Sequence, residues 1–144
     1  MQQQIRALLE EKGKDVESIG PDASVADAVR RMNERHIGAL LVIEGDRPVG
    51  IFTERDVLVR VVAERLDPDT TGVRDVMTTT LVVVTPTTTV EEAMVITTHK
   101  RCRHLPVMNG SELVGLVSAG DLTRSLIKNQ QADISDLTNY ITSG

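Results

Sequence analysis

Aromatic residues are almost absent from this sequence, which has one phenylalanine (Phe52), one tyrosine (Tyr140) and no tryptophan in 144 residues. Positive charge is also scarce, since 16 lysines and arginines face 21 acidic residues and leave a formal net charge of −5. Proteins that bind nucleic acid use basic surfaces against the phosphates and often stack bases on aromatic side chains. The composition therefore argues against nucleic acid as the main partner.

Cysteine occurs once, at Cys102, which excludes an intrachain disulfide and a thiolate metal cluster and fits a reducing compartment. The N-terminal residues lack the apolar core of a signal peptide, and no segment approaches the ~20 apolar residues of a membrane helix. The histidines show no metal-ligand spacing with a carboxylate or with Cys102. We therefore expect a cytoplasmic protein with no metal and no membrane partner, in which Cys102 is structural.

What the sequence does contain is an internal repeat. Residues 86–127 align with residues 21–62 without a gap when 65 is added to each residue number, and the matches include Pro21/Pro86 and Asp56/Asp121. Many of the other pairs keep their chemical type. The regular offset predicts two copies of one supersecondary unit, packed against each other with pseudo-two-fold symmetry.

Each copy follows the plan β-α-β-β-α, which places the protein in the α+β class. Ser24 with Asp27 and Thr89 with Glu92 have the spacing of a capping box at a helix start. The predicted elements are strands at Val16–Ile19 and Leu81–Val84, hairpins at 39–52 and 105–117, and second helices at Glu54–Glu64 and Ala119–Asn129.

These elements divide the chain into five segments. Two of them are the repeated motifs, and the others are expected to lie outside the repeat, including a C-terminal tail whose apolar spacing suits a short amphipathic helix. The segments are an N-terminal helix (1–15), a first motif (16–66), a connector (67–80), a second motif (81–130) and a C-terminal tail (131–144).

A hydroxyl residue followed three places later by aspartate ends the hairpin of each copy, as Thr53 with Asp56 and as Ser118 with Asp121. One interpretation is a capping box that stabilises the next helix. The other is a ligand site, because a helix N-terminus favours phosphate and a carboxylate can accept hydrogen bonds from ribose hydroxyls. Both interpretations remain open from the residues alone.

The repeat, the helix starts PDASVADAVRRM and PTTTVEEAM, the segment HLPVMNG and the endings GIFTERD and GLVSAGD together resemble a tandem pair of cystathionine-β-synthase (CBS) domains, or Bateman module. The resemblance covers roughly residues 9–130. It implies a module that binds an adenosine-containing ligand (AMP or ATP first, NAD(H) or S-adenosylmethionine as alternatives) in clefts between the repeats. It also implies a disc-like homodimer.

The resemblance also assigns roles to residues, by their position in the motifs. The implied ligand residues are Asp56 and Asp121 for the ribose hydroxyls, Thr53 and Ser118 for phosphate, and Val16, Glu17, Leu81 and Val82 around the adenine.

The two copies differ where this family often places a basic phosphate contact, just before the central strand. The second copy has Arg103 and His104 there, whereas the first has Gly38 and Ala39. Arg55, next to the first aspartate, is the residue that could compensate. The difference predicts that the second site binds a phosphorylated adenosine more strongly than the first.

These observations favour a stand-alone regulatory module that senses adenylate or redox state and acts on an unidentified partner protein through ligand-dependent dimer shape. The alternative is a structural dimerisation module whose ligand sites are vestigial. An enzyme is not expected, because the sequence offers no nucleophile–base arrangement and no paired catalytic carboxylates within one copy.

Overall fold

The computed structural model describes residues 2–143 and confirms the predicted α+β class. The chain divides into two compact units, which we call the first unit (Asp15–Leu81) and the second unit (Met1–Lys14 with Val82–Gly144). The elements are α1 (Ile5–Lys12), β1 (Ser18–Ile19), α2 (Val25–Arg35), β2 (Ala39–Glu44), β3 (Arg47–Thr53), α3 (Glu54–Asp56), a π-helical segment (Val57–Val62), α4 (Val73–Val76), α5 (Val90–Lys100), β4 (His104–Asn109), β5 (Glu112–Ser118) and α6 (Ala119–Ser143).

In the first unit, a three-stranded sheet in the order β1-β2-β3 packs on α2, the π-helical segment and α4. Strand β1 is parallel to β2, and β2 is antiparallel to β3. Leu40, Val42 and Phe52 are fully buried in the core of this unit. The strand predicted at Val16–Ile19 is shorter than expected, although the carbonyl of Glu17 still accepts a hydrogen bond from the Leu41 N–H at 3.1 Å.

In the second unit, the β4-β5 hairpin packs on α1, α5 and α6. The strand predicted at Leu81–Val84 does not form, because only Val84 forms a bridge, which is parallel to Val107. Its neighbours turn away from the hairpin: Val83 is 48% exposed, and the N–H of Thr85 donates to Thr88 Oγ1 at 3.1 Å. The prediction of a full strand was therefore wrong in this copy.

The helix starts are built as the sequence predicts. Ser24 Oγ accepts from the Asp27 N–H at 3.1 Å, and Thr89 with Glu92 forms a reciprocal capping box. The Asp27 carboxylate instead accepts a hydrogen bond from Arg30 at 2.9 Å. Ser24 therefore caps the helix through its own side chain, without the return hydrogen bond that completes a capping box.

The short helix that precedes each repeat packs on the opposite unit. Helix α1 precedes the first motif but belongs to the second unit, whereas α4 precedes the second motif but belongs to the first unit. Matching backbone hydrogen bonds anchor them: Ile5 N to Thr88 O, Arg6 N to Pro86 O and Val90 N to Gln3 O, against Val73 N to Ala23 O, Arg74 N to Pro21 O and Val25 N to Thr71 O. These helices are thus a repeated element with an offset of 68 residues instead of 65, and the expectation that α1 lies outside the repeat was wrong.

Two glycines at equivalent positions of the hairpins lie where these helical segments pack. A Cβ atom at Gly115 would lie 2.7 Å from a terminal carbon of Leu9, and a Cβ atom at Gly50 would lie 2.5 Å from Met77 Sδ. The backbone carbonyl of Thr78 would also lie 2.9 Å from a Cβ atom at Gly50, so this position requires glycine, whereas a Cβ atom at Gly115 would force the end of the Leu9 side chain to move. Leu9 and Met77 are themselves related by the offset of 68.

The second helices differ between the two copies. In the first unit, α3 continues into the π-helical segment, whereas α6 is a single helix that extends through the predicted C-terminal tail. The predicted boundary at residue 130 therefore lies inside α6. The sequence offers no reason for a break there, because residues 121–143 contain neither glycine nor proline.

Candidate functional site

The two hydroxyl–carboxylate pairs occupy equivalent strand-to-helix junctions. In the first unit, the Thr53 N–H donates to Asp56 Oδ2 at 3.0 Å, and the Asp56 N–H donates to Thr53 Oγ1 at 3.2 Å. In the second unit, the Ser118 N–H donates to Asp121 Oδ2 at 2.9 Å, and the Asp121 N–H donates to Ser118 Oγ at 3.0 Å. Both pairs are therefore reciprocal capping boxes, and the capping interpretation holds in each copy.

The carboxylate of Asp56 is almost completely buried. The residue is 6% exposed, and its Oδ1 accepts a hydrogen bond from Thr78 Oγ1 at 3.0 Å. Arg60, one turn along the helix, places its Nε 3.5 Å from the same oxygen. The Thr53 N–H, a neutral hydroxyl and one cation thus satisfy this buried carboxylate.

The carboxylate of Asp121 has two cations instead. Lys12 Nζ lies 2.5 Å from Oδ2 and also donates to the carbonyl of Leu116 at 2.7 Å. Arg124 donates to Oδ1 at 2.6 Å. Burial raises the pKa of Asp121, but the hydrogen bonds from Lys12 and Ser118 outweigh it, so the pKa lies below its usual range.

A cavity of about 370 Å³ opens beside Asp121, within the second unit. Its size falls in the range of small-ligand pockets, roughly 300–1,000 Å³. Three cations, two carboxylates, one hydroxyl and one apolar side chain line it: Lys12, Arg124, Lys128, Glu11, Asp121, Ser125 and Leu8. A cavity with clustered cations beside a carboxylate can accommodate a sugar phosphate.

The hairpin register brings Arg103 and His104 to the same junction. His104 pairs with Ser118 across the two strands, and the Ala119 N–H donates to the carbonyl of Arg103 at 2.8 Å. The side chain of Arg103 is exposed, whereas His104 is partly buried. The basic pair predicted from the sequence therefore adjoins the capping box of Asp121.

The corresponding positions of the first unit have the same backbone arrangement without the basic side chains. Ala39 pairs with Thr53, and the Glu54 N–H donates to the carbonyl of Gly38 at 3.0 Å. Arg55 is exposed on α3. Gly38 and Ala39 of the first unit therefore occupy the same backbone positions as Arg103 and His104 of the second.

The residues expected around the adenine are partly buried and are divided between the units. Val16 and Glu17 precede β1 in the first unit, and the Glu17 carboxylate lies 3.8 Å from Arg35 Nε. Leu81 ends the first unit, whereas Val82 begins the return of the chain to the second unit and packs against its core.

Sequence reasoning did not identify the residues that hold the two aspartates. Arg60 and Arg124 follow on the same helix at i+4 and i+3, a spacing that predicts an ion pair. Lys12 and Thr78 had no local signal, because they lie 109 and 22 residues from their partners along the chain.

Metal and membrane sites have no support in the part of the chain that the structure describes. No group of three or more histidine, cysteine or acidic side chains there is placed to hold a metal ion. No helix in residues 2–143 is long and apolar enough to span a membrane. Cys102 is half-buried, and burial raises the pKa of its thiol.

Comparison with known proteins identifies the family. The family model for the CBS domain matches residues 12–63 and again residues 73–128. The mitochondrial CBS domain-containing protein CBSX3 of Arabidopsis thaliana is 34% identical over an alignment 149 residues long, which covers 97% of this chain and 72% of that protein.

Solved structures give the same result. A candidate signal-transduction protein with CBS domains from Burkholderia ambifaria is 38% identical, with a TM-score of 0.84 over 88% of this chain and 96% of that one. The hexameric CBS-CP12 protein of bloom-forming cyanobacteria is 33% identical, with a TM-score of 0.75 over 85% of this chain and 67% of that one.

CBS-domain pairs are generally regulatory and often bind nucleotides, and stand-alone CBS-domain proteins are typically non-catalytic. Two family matches, a repeated fold and close structural relatives agree here. The chain therefore belongs to the CBS-domain family and contains a tandem pair of CBS domains.

Proposed function

We propose that this CBS pair is a regulatory module that binds an adenosine-containing ligand, with AMP or ATP as the first candidates and NAD(H) or S-adenosylmethionine as the alternatives. The observation that carries the proposal is the cavity beside Asp121, where a carboxylate suited to ribose hydroxyls adjoins Lys12, Arg124 and Lys128. Cations suit the phosphates, and helix α6 directs its N-terminus towards the same junction. Arg103 and His104 add further basic groups next to Ser118.

The two sites have different expected affinities under this proposal. The Asp121 site has several cations for a phosphate, whereas Asp56 is enclosed by Thr78 and Arg60. Val16, Glu17, Leu81 and Val82 remain the proposed adenine contacts, and Thr53, Arg55 and Asp56 remain the proposed contacts of the weaker site.

Thermal unfolding with a ligand panel tests the binding function. The panel comprises AMP, ADP, ATP, NAD, NADH and S-adenosylmethionine. A ligand at 100 times its Kd adds about 2.7 kcal/mol of stability, which corresponds to a rise in Tm of roughly 5–10 °C for a chain of this size. A flat response to the whole panel would refute binding and favour the structural dimerisation role.

Calorimetric titration of asparagine variants locates the sites. Asparagine keeps the size of the side chain and one hydrogen-bond acceptor, so the cap is retained while the charge is lost. We expect Asp121→Asn to weaken AMP or ATP binding strongly and Asp56→Asn to weaken it less. Asp46→Asn, in the exposed hairpin turn of the first unit, is the matched control and should bind as wild type does. Equal losses from the first two variants would contradict the asymmetry.

We further propose that the module acts as a homodimer whose shape responds to ligand and is read by a partner protein. Large apolar side chains remain exposed on two helical faces, which supports self-association. They are Leu58 (64% exposed), Val59 (54%) and Val62 (61%) on the π-helical segment, and Ile127 (49%), Ile134 (64%), Leu137 (60%) and Ile141 (68%) on α6. The hexameric cyanobacterial relative is an oligomer of the same fold.

Sedimentation equilibrium tests the dimer. We expect Val62→Glu and Ile134→Glu to shift the protein towards monomer, because each places a charge on an apolar face. Val95→Glu, at an exposed apolar position of α5, is the control and should leave the dimer intact. A wild-type protein that sediments as a monomer at micromolar concentration would refute this part of the proposal.

A further inference from the structure

Lys12 occupies one of the acceptor positions that a ribose would need at Asp121. Oδ2 of Asp121 accepts from Lys12 Nζ and from the Ser118 N–H, and Oδ1 accepts from Arg124. The side chain of Asp121 is only 10% exposed, so little of the carboxylate remains for a further donor. A ribose that binds this carboxylate through both of its hydroxyls therefore needs a second acceptor position, which is available only when a cation withdraws.

Of the two cations, Arg124 is 73% exposed and lies on the same helix as Asp121, whereas Lys12 reaches the carboxylate from a different helix, so its exchange also changes a contact between two elements. Lys12 lies in the last turn of α1, directly before Gly13, whose φ of 100° shows that the backbone leaves the helix there. Lys12 is bound to the junction by one ammonium group, which is compact, hydrated and carried on a flexible stem. Its side chain is 37% exposed and lines the cavity together with Arg124 and Lys128.

The first unit has no counterpart of this lysine. Asp56 receives the neutral hydroxyl of Thr78 instead, from the segment that follows α4. Under the offset of 68 that relates α1 to α4, the position equivalent to Lys12 is Thr80. The contact is therefore particular to the second unit and comes from α1.

We propose that Lys12 is the residue that makes the Asp121 site selective for phosphorylated nucleosides. Without ligand, it neutralises the carboxylate; when a nucleotide binds, its ammonium passes from the carboxylate to the phosphate. AMP or ATP replaces the lost ion pair with a new one to phosphate, whereas unphosphorylated adenosine displaces Lys12 without compensation. This inference rests on the proposed function of the Asp121 site.

The exchange also connects the site to α1. Lys12 donates to the carbonyl of Leu116 as well as to Asp121, and Leu9 of the same helix packs on Gly115. When the ammonium moves to a ligand, the C-terminal turn of α1 loses two anchors on the β5–α6 segment. We expect amide hydrogen exchange in residues 10–13 to change when AMP binds, and this measurement does not depend on the affinity itself.

Calorimetric titration of AMP, ATP and adenosine into Lys12→Met tests the proposal. Methionine keeps an unbranched apolar stem and removes the charge. We expect the preference for AMP over adenosine to fall about tenfold, equivalent to about 1.4 kcal/mol, mainly because AMP binds more weakly. Lys12→Arg, which keeps the charge, should retain most of the preference. Lys14→Met is the matched control, since this exposed lysine lies outside α1, and it should keep the wild-type ratio.

The outcomes separate this inference from the proposed function. One outcome is that wild type binds AMP, that Asp121→Asn no longer binds it, and that Lys12→Met keeps the wild-type ratio of AMP affinity to adenosine affinity. In that case the role of Lys12 is refuted and the nucleotide site stands. If wild type binds neither nucleotide nor adenosine, both are refuted. If Lys12→Met unfolds, Lys12→Gln decides the question, because it too removes the charge. An AMP complex in which the hydrogen exchange of residues 10–13 is unchanged would also refute the exchange.

Discussion

Replacement of Asp56 by alanine should destabilise the first unit substantially, even without any ligand. The residue is 6% exposed, and its carboxylate accepts hydrogen bonds from the Thr53 N–H and the Thr78 hydroxyl, both at 3.0 Å. Alanine removes both acceptors and leaves two partly buried donors without them. It also removes the N3 half of the capping box at the start of α3.

The magnitude follows from these contacts. A buried donor that loses its acceptor costs roughly 1–3 kcal/mol, and the lower half of this range applies because Thr53 and Thr78 are only partly buried. The ion pair with Arg60 adds less than about 1 kcal/mol, since that arginine is 49% exposed. We therefore expect Asp56→Ala to lower the free energy of unfolding by about 2–5 kcal/mol, a large part of the roughly 5–15 kcal/mol that holds a typical domain folded.

Urea denaturation followed by circular dichroism measures this effect. Glu54→Ala is the control, because Glu54 is an exposed acidic residue in the same short helix. A double-mutant cycle with Thr78→Val should give a coupling of about 0.5–3 kcal/mol between Asp56 and Thr78. The reasoning is wrong if Asp56→Ala costs less than about 0.5 kcal/mol, or no more than the control.

Three further predictions concern packing, acid stability and thiol reactivity. Gly50→Ala should lower the free energy of unfolding by about 1–3 kcal/mol in urea denaturation, because its Cβ would lie 2.5 Å from Met77 Sδ. Gly20→Ala is the control and should change stability little, because a Cβ atom there would meet nothing within 4 Å. Equal effects of the two variants would contradict the packing. The pKa of Asp121 is lowered in the folded state, so its contribution is fully present above its unfolded pKa of about 3.9 and is lost as the pH falls through the lower folded value. Wild type should therefore lose stability more steeply than Asp121→Asn below about pH 4, and parallel profiles would contradict this. Burial raises the pKa of Cys102, so its thiol should react with a disulfide reagent at pH 8 more slowly in the folded protein than in urea, and equal rates would contradict this.

Sequence patterns predicted the parts of the fold that local chemistry determines. Both hairpins were placed to within about one residue at each end, since turn residues and apolar alternation lie in the same short segment. The capping boxes of Thr53–Asp56 and Ser118–Asp121 were also predictable, because their two members are three residues apart. The repeat then located one candidate site from the other.

The sequence did not reveal how α1 and α4 pack on opposite units. The offset of 65 that aligns the motifs does not align these helices, which are related by 68 residues, and only pairs such as Ile5/Val73 and Arg6/Arg74 are similar. Which unit a short helix packs against depends on complementary surfaces such as Leu9 on Gly115, which no local pattern records. The contact of Lys12 with Asp121 was invisible for the same reason.

Two independent sources of asymmetry make the second unit the more cationic of the two. Within the repeat, Arg103 and His104 stand where the first unit has Gly38 and Ala39, as the sequence alone showed. In addition, α1 brings Lys12 to the second aspartate, whereas the matching position of the first unit, under the offset of 68, is Thr80.

The charges close to the two carboxylates show how this asymmetry affects the binding of an anion. Among residues 2–143, Asp56 has one cation within 4 Å, Arg60, so the local charges cancel. Asp121 has two, Lys12 and Arg124, which leave an excess of one positive charge. A phosphate monoester carries about −1.5 to −2 charges at neutral pH, so the second junction attracts it while the first offers no net attraction. Duplication of one motif has thus produced two junctions with the same backbone geometry, and the segments packed against them determine which one favours an anion.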